Sequence, residues 1–528
     1  MIMRLRLLLF LAVTTIASSN RAAEGYLSWE AAEAGEKLAG IYCGTCHMVP
    51  QPDILSRSSW DREVLPWMAA LLGVYEGYYG SNKLAAARRS GYAWSRPPLH
   101  PNEFNAIAAY YQLKSPRSLY ATNTPAEIFP VTGGFRMVRR SVNLLAPAAT
   151  TLVSIHEGKG RHFAGFEVPS RLVYRDPEAG FETLIQEGVI PVALCHAPEG
   201  IYYADAGSVV PDFRPLGRVF FAPRKGAGFG EARLVIDGLP RIAHLTRGDL
   251  NADGIADLVV CGFGFFSGEL AWLEGRPDGG FRKHLIFECP GAVKAEIRDL
   301  NDDGRPDLIV MIAQALESVY FLYNDGRGGF SGEAVISRHP AFGFTDFETA
   351  DLTGDGLPEI VTVNGDFDYD GSVRPYQGVR IFSGKDTLKE VFFHSLPGSY
   401  QVEVADFDED GDQDIVAVAL TPGLGTIRTP RTLYLENTGG LRFRYWELPH
   451  SDVGRWIVAD AGDHDGDGDA DLLLGALYNA PGSAAPSNVD ERVAFGSFPF
   501  ETMLLENIFD ESLEIRVDRR HRTMTKDR

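Results

Sequence analysis

The sequence predicts a chain of two unlike parts, a small all-α domain followed by an all-β propeller of seven blades. Three observations predict it. The pentapeptide Cys43-Gly44-Thr45-Cys46-His47 lies between two stretches of helical pattern, an acidic nine-residue motif recurs five times, and successive copies of that motif start 50, 52, 55 and 57 residues apart, each followed by runs of strand-forming residues.

The chain opens on a short basic start, Met1 to Arg6, an apolar run, Leu7 to Ala17, and a small-residue stretch to Ala23. This is the pattern of a cleaved signal peptide over residues 1–23. The apolar run is too short to span a bilayer, which takes about 20 apolar residues. No later segment is long enough either, so the expectation is a periplasmic or secreted chain with no transmembrane anchor.

Glu30 to Tyr42 reads as a helix, and Pro101 to Leu113 as a second, with Pro at its first turn and Pro116 as its stop. Cys43, Cys46 and His47 form the C-x-x-C-H pattern that attaches haem through two thioethers and supplies an axial imidazole. A redox dithiol would need a thioredoxin-like βαβ setting, and zinc would need further Cys or His pairs. Neither accompanies the motif, so one covalent haem c is the expectation. Among the candidates for the sixth iron ligand, Met48 is too close to His47 to reach the opposite haem face. That leaves Met68, within the apolar stretch Leu65 to Leu72, with His100 or an open site as alternatives.

The formal charge of −21 argues against nucleic acid as a partner. Its origin is local, because the five acidic windows hold 21 carboxylates and a single base, Arg305. Each window offers oxygen ligands at alternating positions, a Gly that permits a sharp reversal, and a closing acid. The sets are Asp249, Asn251, Asp253 and Asp257; Asp299, Asn301, Asp303 and Asp307; Asp351, Thr353, Asp355 and Glu359; Asp406, Asp408, Asp410 and Asp414; and Asp463, Asp465, Asp467 and Asp471. Such oxygen cages suit Ca²⁺, so about five calcium ions are expected. An EF-hand is excluded, because its twelfth position should be Glu, whereas here it is Val260, Val310, Thr362, Ala417 and Leu474. A β run comes directly after each loop, such as Leu258 to Cys261 or Ile415 to Val418, so each loop joins two strands.

A repeat of about 50 residues with four short strands is a propeller blade. Five motif-bearing blades run from about Ile242 to Asp510, and Val131 to Arg241 leaves room for two more, in which Asp205 to Pro211 reads as a decayed turn, so seven blades are expected, with six and eight as alternatives. Asn364 to Gly371 resembles a sixth cage but closes on Arg374, and is expected to be a solvated loop, with a site for a ligand or second ion at the propeller mouth as the alternative. Cys195, Cys261 and Cys289 are far apart and odd in number, the pattern of small buried hydrophobes.

The five loops resemble those of the FG-GAP/VCBS repeat propellers, and the likeness covers roughly Pro130 to Asp510. The stretches Cys46 to Pro52, Leu65 to Ala69 and Tyr110-Tyr111 are similar to the N-terminal domain of exported bacterial proteins that join a cytochrome c domain to such repeats. The resemblance implies a class I-like cytochrome c domain over residues 28–118, a propeller over 130–510 and a tail over 511–528. The expected function is electron transfer by an exported monohaem cytochrome whose propeller docks a redox partner protein or an extracellular polymer. The alternative is a propeller oxidoreductase of the sugar or alcohol dehydrogenase type that reduces its own haem. Its chemistry needs a His base and Arg clamps at one mouth, whereas His244, His284, His339 and His394 sit singly in the sequence, so no catalytic set is assigned.

Overall fold

The computed structural model describes residues 28–119, apart from 46, 75–86, 89–90 and 92, and residues 130–509, apart from 143–147, 157, 178–180, 212–213, 266, 315, 367–373, 386, 421–430 and 478–499. The expected signal peptide, Cys46, most of the 364–371 loop and the 511–528 tail lie outside the described residues. By contact the chain divides into one compact unit in residues 1–121 and 339–341 and a second in residues 122–338 and 342–528.

The first unit is helical. Helix α1 (Trp29–Tyr42) starts where the Ser28 hydroxyl accepts a hydrogen bond from Ala31 N at 3.0 Å, and it runs straight into a 3₁₀ turn, Cys43–Thr45. A short helical stretch passes through a wide turn, Trp60–Val64, into α2 (Leu65–Leu71). The last helix, α3 (Pro101–Lys114), is opened by His100, whose Nδ1 accepts from Asn102 N while Glu103 reaches back to His100 N. It ends at Ser115, because the following Pro116 disfavours helical geometry in the residue before it. Ala32, Gly35 and Ala39 give α1 a small buried face. A Cβ on Gly35 would lie 1.9 Å from Ala106 O, so α1 and α3 cross backbone against backbone at that point. Around the crossing Leu55, Trp60, Leu65, Phe104, Ile107, Tyr110 and Tyr111 form one core.

The second unit is a closed ring of seven four-stranded sheets, one of which carries an extra short strand. Blades one to six occupy residues 150–187, 191–239, 242–287, 292–337, 344–395 and 399–446. Blade seven takes three strands from residues 456–507, and its outermost strand is β1 (Phe135–Val142), which pairs antiparallel with the chain's last strand, Phe135 opposite Asn507. The ring is thus closed by hydrogen bonds between its two ends. The innermost strands touch in sequence around the ring, and that of blade seven touches that of blade one.

The second strand of each motif-bearing blade is apolar without alternation: Asp257–Gly262, Asp307–Ile312, Glu359–Asn364, Asp414–Ala419 and Asp471–Ala476 are buried at all six positions. Each blade is covered on both faces by its neighbours, so a continuous apolar run is what this position demands. Burying each Val, Leu or Ile there contributes roughly 1.5–3 kcal/mol. Blades one and two lack acidic loops, as the spacing predicted. Asp205 is not a relic of one, however. It ends the second strand of its blade, whereas the acidic loops follow first strands. It is buried and accepts from Ile190 N and Gly207 N, which makes it a turn anchor.

Candidate functional site

Cys43 caps the C-terminal end of α1, and Cys43–Thr45 form the 3₁₀ turn that follows it. His47 Nδ1 lies 2.9 Å from Met48 O. A carbonyl can only accept, so Nδ1 carries the proton and the lone pair is on Nε2, the tautomer that a metal-ligating imidazole needs. Burial holds the His47 pKa below its ordinary value, with the Met48 carbonyl opposing, and this favours the neutral, ligating form. Cys43 and Met68 both pack against the core formed where α1 and α3 cross. The segment after the motif is pinned from the same core, since Tyr111 donates to Pro50 O at 3.1 Å and Trp60 Nε1 to Pro52 O at 2.9 Å, their rings stacked 4.1 Å apart. Among the described residues, the donor chemistry of Cys43, His47 and Met68 and the apolar core beside Cys43 and Met68 suit a haem. His100 is exposed and already serves as the cap of α3.

The five acidic loops share one backbone. The sixth position is Gly254, Gly304, Gly356, Gly411 and Gly468, all with φ between 79° and 107°. The fourth position is left-handed as well, and there Ala252, Asp302 and Glu409 adopt it without being Gly, each at a cost of about 1 kcal/mol. The first acid caps the turn, as where Asp299 accepts from Gly304 N at 2.8 Å. Such bonds hold Asp299 and Asp351 below the usual carboxylate range.

The closing acids behave differently. Asp257, Asp307, Glu359, Asp414 and Asp471 are buried, and one oxygen of each accepts from the amide of the loop's second residue, Leu250, Leu300, Leu352, Phe407 and His464. In four loops the other oxygen accepts from the end of the third strand, at Gly275, Asn324, Asn437 and Asn507; in blade five Ser383 Oγ takes that place. These carboxylates staple the blade as well as closing the cage.

Two loops gather three carboxylates within 4.8 Å, Asp406 with Asp408 and Asp414, and Asp463 with Asp465 and Asp471. Their acids are held high: burial and then Asp410 push Asp408 to about 6, and burial with Asp408 pushes Asp414 to about 8. Burial and neighbouring acids raise Asp465 and Asp469 too. Negative charge in these two cages is under-compensated by the protein alone, which is the condition a divalent cation relieves.

A second cluster lies inside the ring of first strands and was not foreseen. Lys294 Nζ is 3.0 Å from Asp346 Oδ1 and 2.5 Å from Glu348 Oε1, and Glu296, Glu403 and Asp460 lie within its electrostatic reach. Burial and like charge push Glu296 up to about 7 and raise Asp346, Glu403 and Asp460 as well. A signal was present in the sequence: Glu296, Glu348, Glu403 and Asp460 each stand three residues before a cage's first Asp.

Histidines isolated in the sequence find partners across strands and blades. His284 lies 2.6 Å from Glu274 and stacks on Trp272, and His394 stacks on Tyr445. His156 pairs with His196 at 3.0 Å and His162 with His464 at 3.2 Å. These four lie on blades one, two and seven, and three of them, His156, His162 and His464, are buried. Cys261 and Cys289 are buried, and burial pushes the Cys195 and Cys289 thiols up to about 12. Among the described residues no helix is long and apolar enough to cross a membrane.

Residues 249–310 and 299–362 match the model of the FG-GAP-like repeat. No curated protein matches the chain. Among solved structures it is similar to the N-terminal domain of Nup159, with a TM-score of 0.40 and 11% identity over 72% of this chain and 98% of that one. It is also similar to regucalcin, a calcium-binding protein from Agrobacterium tumefaciens, with a TM-score of 0.37 and 10% identity over 70% and 94%. An ancestral GH74 enzyme gives a TM-score of 0.42 and 9% identity over 71% and 51%. The matched repeats and the closed ring of sheets identify the second unit as a seven-bladed β-propeller carrying FG-GAP-like repeats.

Proposed function

We propose that the protein is an exported monohaem c-type cytochrome that works in electron transfer, with a calcium-stiffened propeller that docks a redox partner protein or extracellular polymer. The observation that carries the reading is His47: its Nδ1 proton is held by Met48 O, and it stands five residues after the end of α1, a helix whose core is shared by Cys43 and Met68. Two helices crossing at a glycine around an apolar core support a class I-like arrangement. When bound, the haem supplies one-electron chemistry. The chain's part is to attach it through Cys43 and Cys46, ligate it through His47 Nε2, offer Met68 as the sixth ligand, and exclude water with Trp60, Leu65 and Tyr111.

Expression into a periplasm with haem-attachment machinery should give a red chain whose colour survives acid-acetone extraction. Met68→Ala should remove the weak near-infrared band of a Met-to-ferric-iron bond, while His100→Ala leaves it. Colour that washes out refutes the covalent haem, and loss of the band in the His100 variant alone would reassign the ligand.

One observation favours the dehydrogenase alternative, since Glu296 beside Lys294 is poised near neutral pH for proton transfer. Haem reduction on titrating the holoprotein with sugars and quinones would establish it.

A further inference from the structure

Three asparagines at the ends of third strands make the same pair of bonds. Asn324 Nδ2 donates to Leu250 O at 2.7 Å and to Pro306 O at 3.0 Å. Asn437 Nδ2 donates to Leu352 O at 2.9 Å and Gln413 O at 3.1 Å, and Asn507 Nδ2 to Phe407 O at 2.7 Å and Ala470 O at 3.2 Å. In every case the first carbonyl belongs to the second residue of the preceding blade's acidic loop, and the other stands just before the closing acid of the asparagine's own blade. All three amides are buried and satisfied. The loop of blade seven is engaged from blade one by a backbone group, with Gly160 N donating to His464 O at 2.5 Å. Blade five is the exception. Ser383 occupies the asparagine's place and donates to its own closing acid, Glu359. Among the described residues no side-chain amide reaches Leu300 O in blade four.

We propose that Asn324, Asn437 and Asn507 are inter-blade couplers that join the acidic loops into two groups, blades three and four, and blades five, six and seven, so that a cation entering one loop of a group raises the affinity of its neighbour. The proposal rests on the calcium reading above. The physical basis is that one amide fixes two loops at once. Ordering either loop pre-orders the other, and the second ion then meets a smaller entropic cost. The seam between blades four and five carries no such amide, and binding there is uncoupled.

The test uses the full chain with Asn437→Ser, a residue the fold already accommodates at Ser383, and follows amide hydrogen exchange while calcium is added. In the wild type, residues 351–359 and 406–414 should become protected at the same calcium concentration. In the variant their midpoints should separate by roughly fivefold or more, with 249–257 and 299–307 unchanged. Ser383→Asn should bring the midpoints of 299–307 and 351–359 together. Coincident midpoints for blades five and six in Asn437→Ser overturn the coupling. A metal-free arm separates this from failure of the calcium reading. There Asn437→Ser should speed exchange in 351–359, in the neighbouring blade, by at least about fivefold, and leave 299–307 alone. Unchanged exchange in 351–359 refutes the coupler whatever calcium does, whereas a wild type indifferent to calcium refutes only the cages.

Discussion

At the scale of single residues, acids that look equivalent in the repeat have different work. Asp303 is exposed and caps a turn, whereas Asp307 is fully buried and accepts from Leu300 N at 3.0 Å and Asn324 N at 2.7 Å. Removing Asp307 strands a buried amide, Asn324 N, at about 1–3 kcal/mol, and a half-buried one, Leu300 N, at less. Asp307→Ala should therefore lower the melting temperature of the metal-free propeller by roughly 5–10 °C, while Asp303→Ala shifts it little without calcium and more with it. Equal shifts for both in chelator would show that the closing acid is only a ligand. The recurring turn was legible because alternating acids around a Gly return every 50 to 57 residues. The double duty of Asp307 was not, because its second partner, Asn324, comes from another strand. His100 was weighed as a ligand for the same reason, since its capping bond to Asn102 N is a matter of geometry and not of composition.

At the scale of elements, the five loops share a backbone but not a charge. The blade-six and blade-seven loops bring three carboxylates within 4.8 Å, while those of blades three to five carry Asn251, Asn301 and Thr353 at the third position, where blades six and seven have Asp408 and Asp465. Mutual repulsion in the first pair is what a cation relieves, and backbone amides already quiet the first acids Asp299 and Asp351. Calcium titration by calorimetry should therefore resolve about three tight ions, in the blade-six and blade-seven loops and in the blade-five loop that Asn437 ties to them, ahead of about two weaker ones in blades three and four. Asp465→Asn should abolish one tight ion, and Asp249→Asn none of them. Five equal sites would show that loop geometry, and not carboxylate number, sets affinity. The strands after the loops were readable from their unbroken apolar runs, and blades one and two from length alone. The outer strand of blade seven was not, because β1 pairs with a segment some 370 residues away, and local pattern carries no information about so distant a partner.

At the scale of the molecule, closing seven blades brings their first strands together, and the acids at corresponding positions are then forced to share one small interior. Lys294 offsets part of this. Burial alone would lower its pKa, but Asp346, Glu348 and Glu296 outweigh that and hold it well above its ordinary value, so it stays charged throughout the neutral range. His244 on the next strand is driven down to about 3 by burial and Lys294, and contributes no charge. Arg298 lies near Glu296 and lowers it slightly, Thr349 donates to Glu296 at 2.7 Å, and Asp460 accepts from Ile155 N at 2.6 Å. The net effect is still upward for the carboxylates. The folded propeller thus binds more protons than the unfolded chain between about pH 4.5, the unfolded value for Glu, and about pH 7, the value for Glu296 in the fold. Stability from this cluster is present in full below that window and is lost as pH rises through it. Glu296→Gln keeps an acceptor for Thr349 and cannot ionise. In chelator it should melt like the wild type at pH 5 and be more stable by on the order of 1–3 kcal/mol at pH 8, where the wild-type carboxylate must be charged inside the ring. A difference of the same size at both pH values would mean that shape and not charge governs the site. A less stable variant at pH 8 would mean that Lys294 holds Glu296 as a net favourable ion pair.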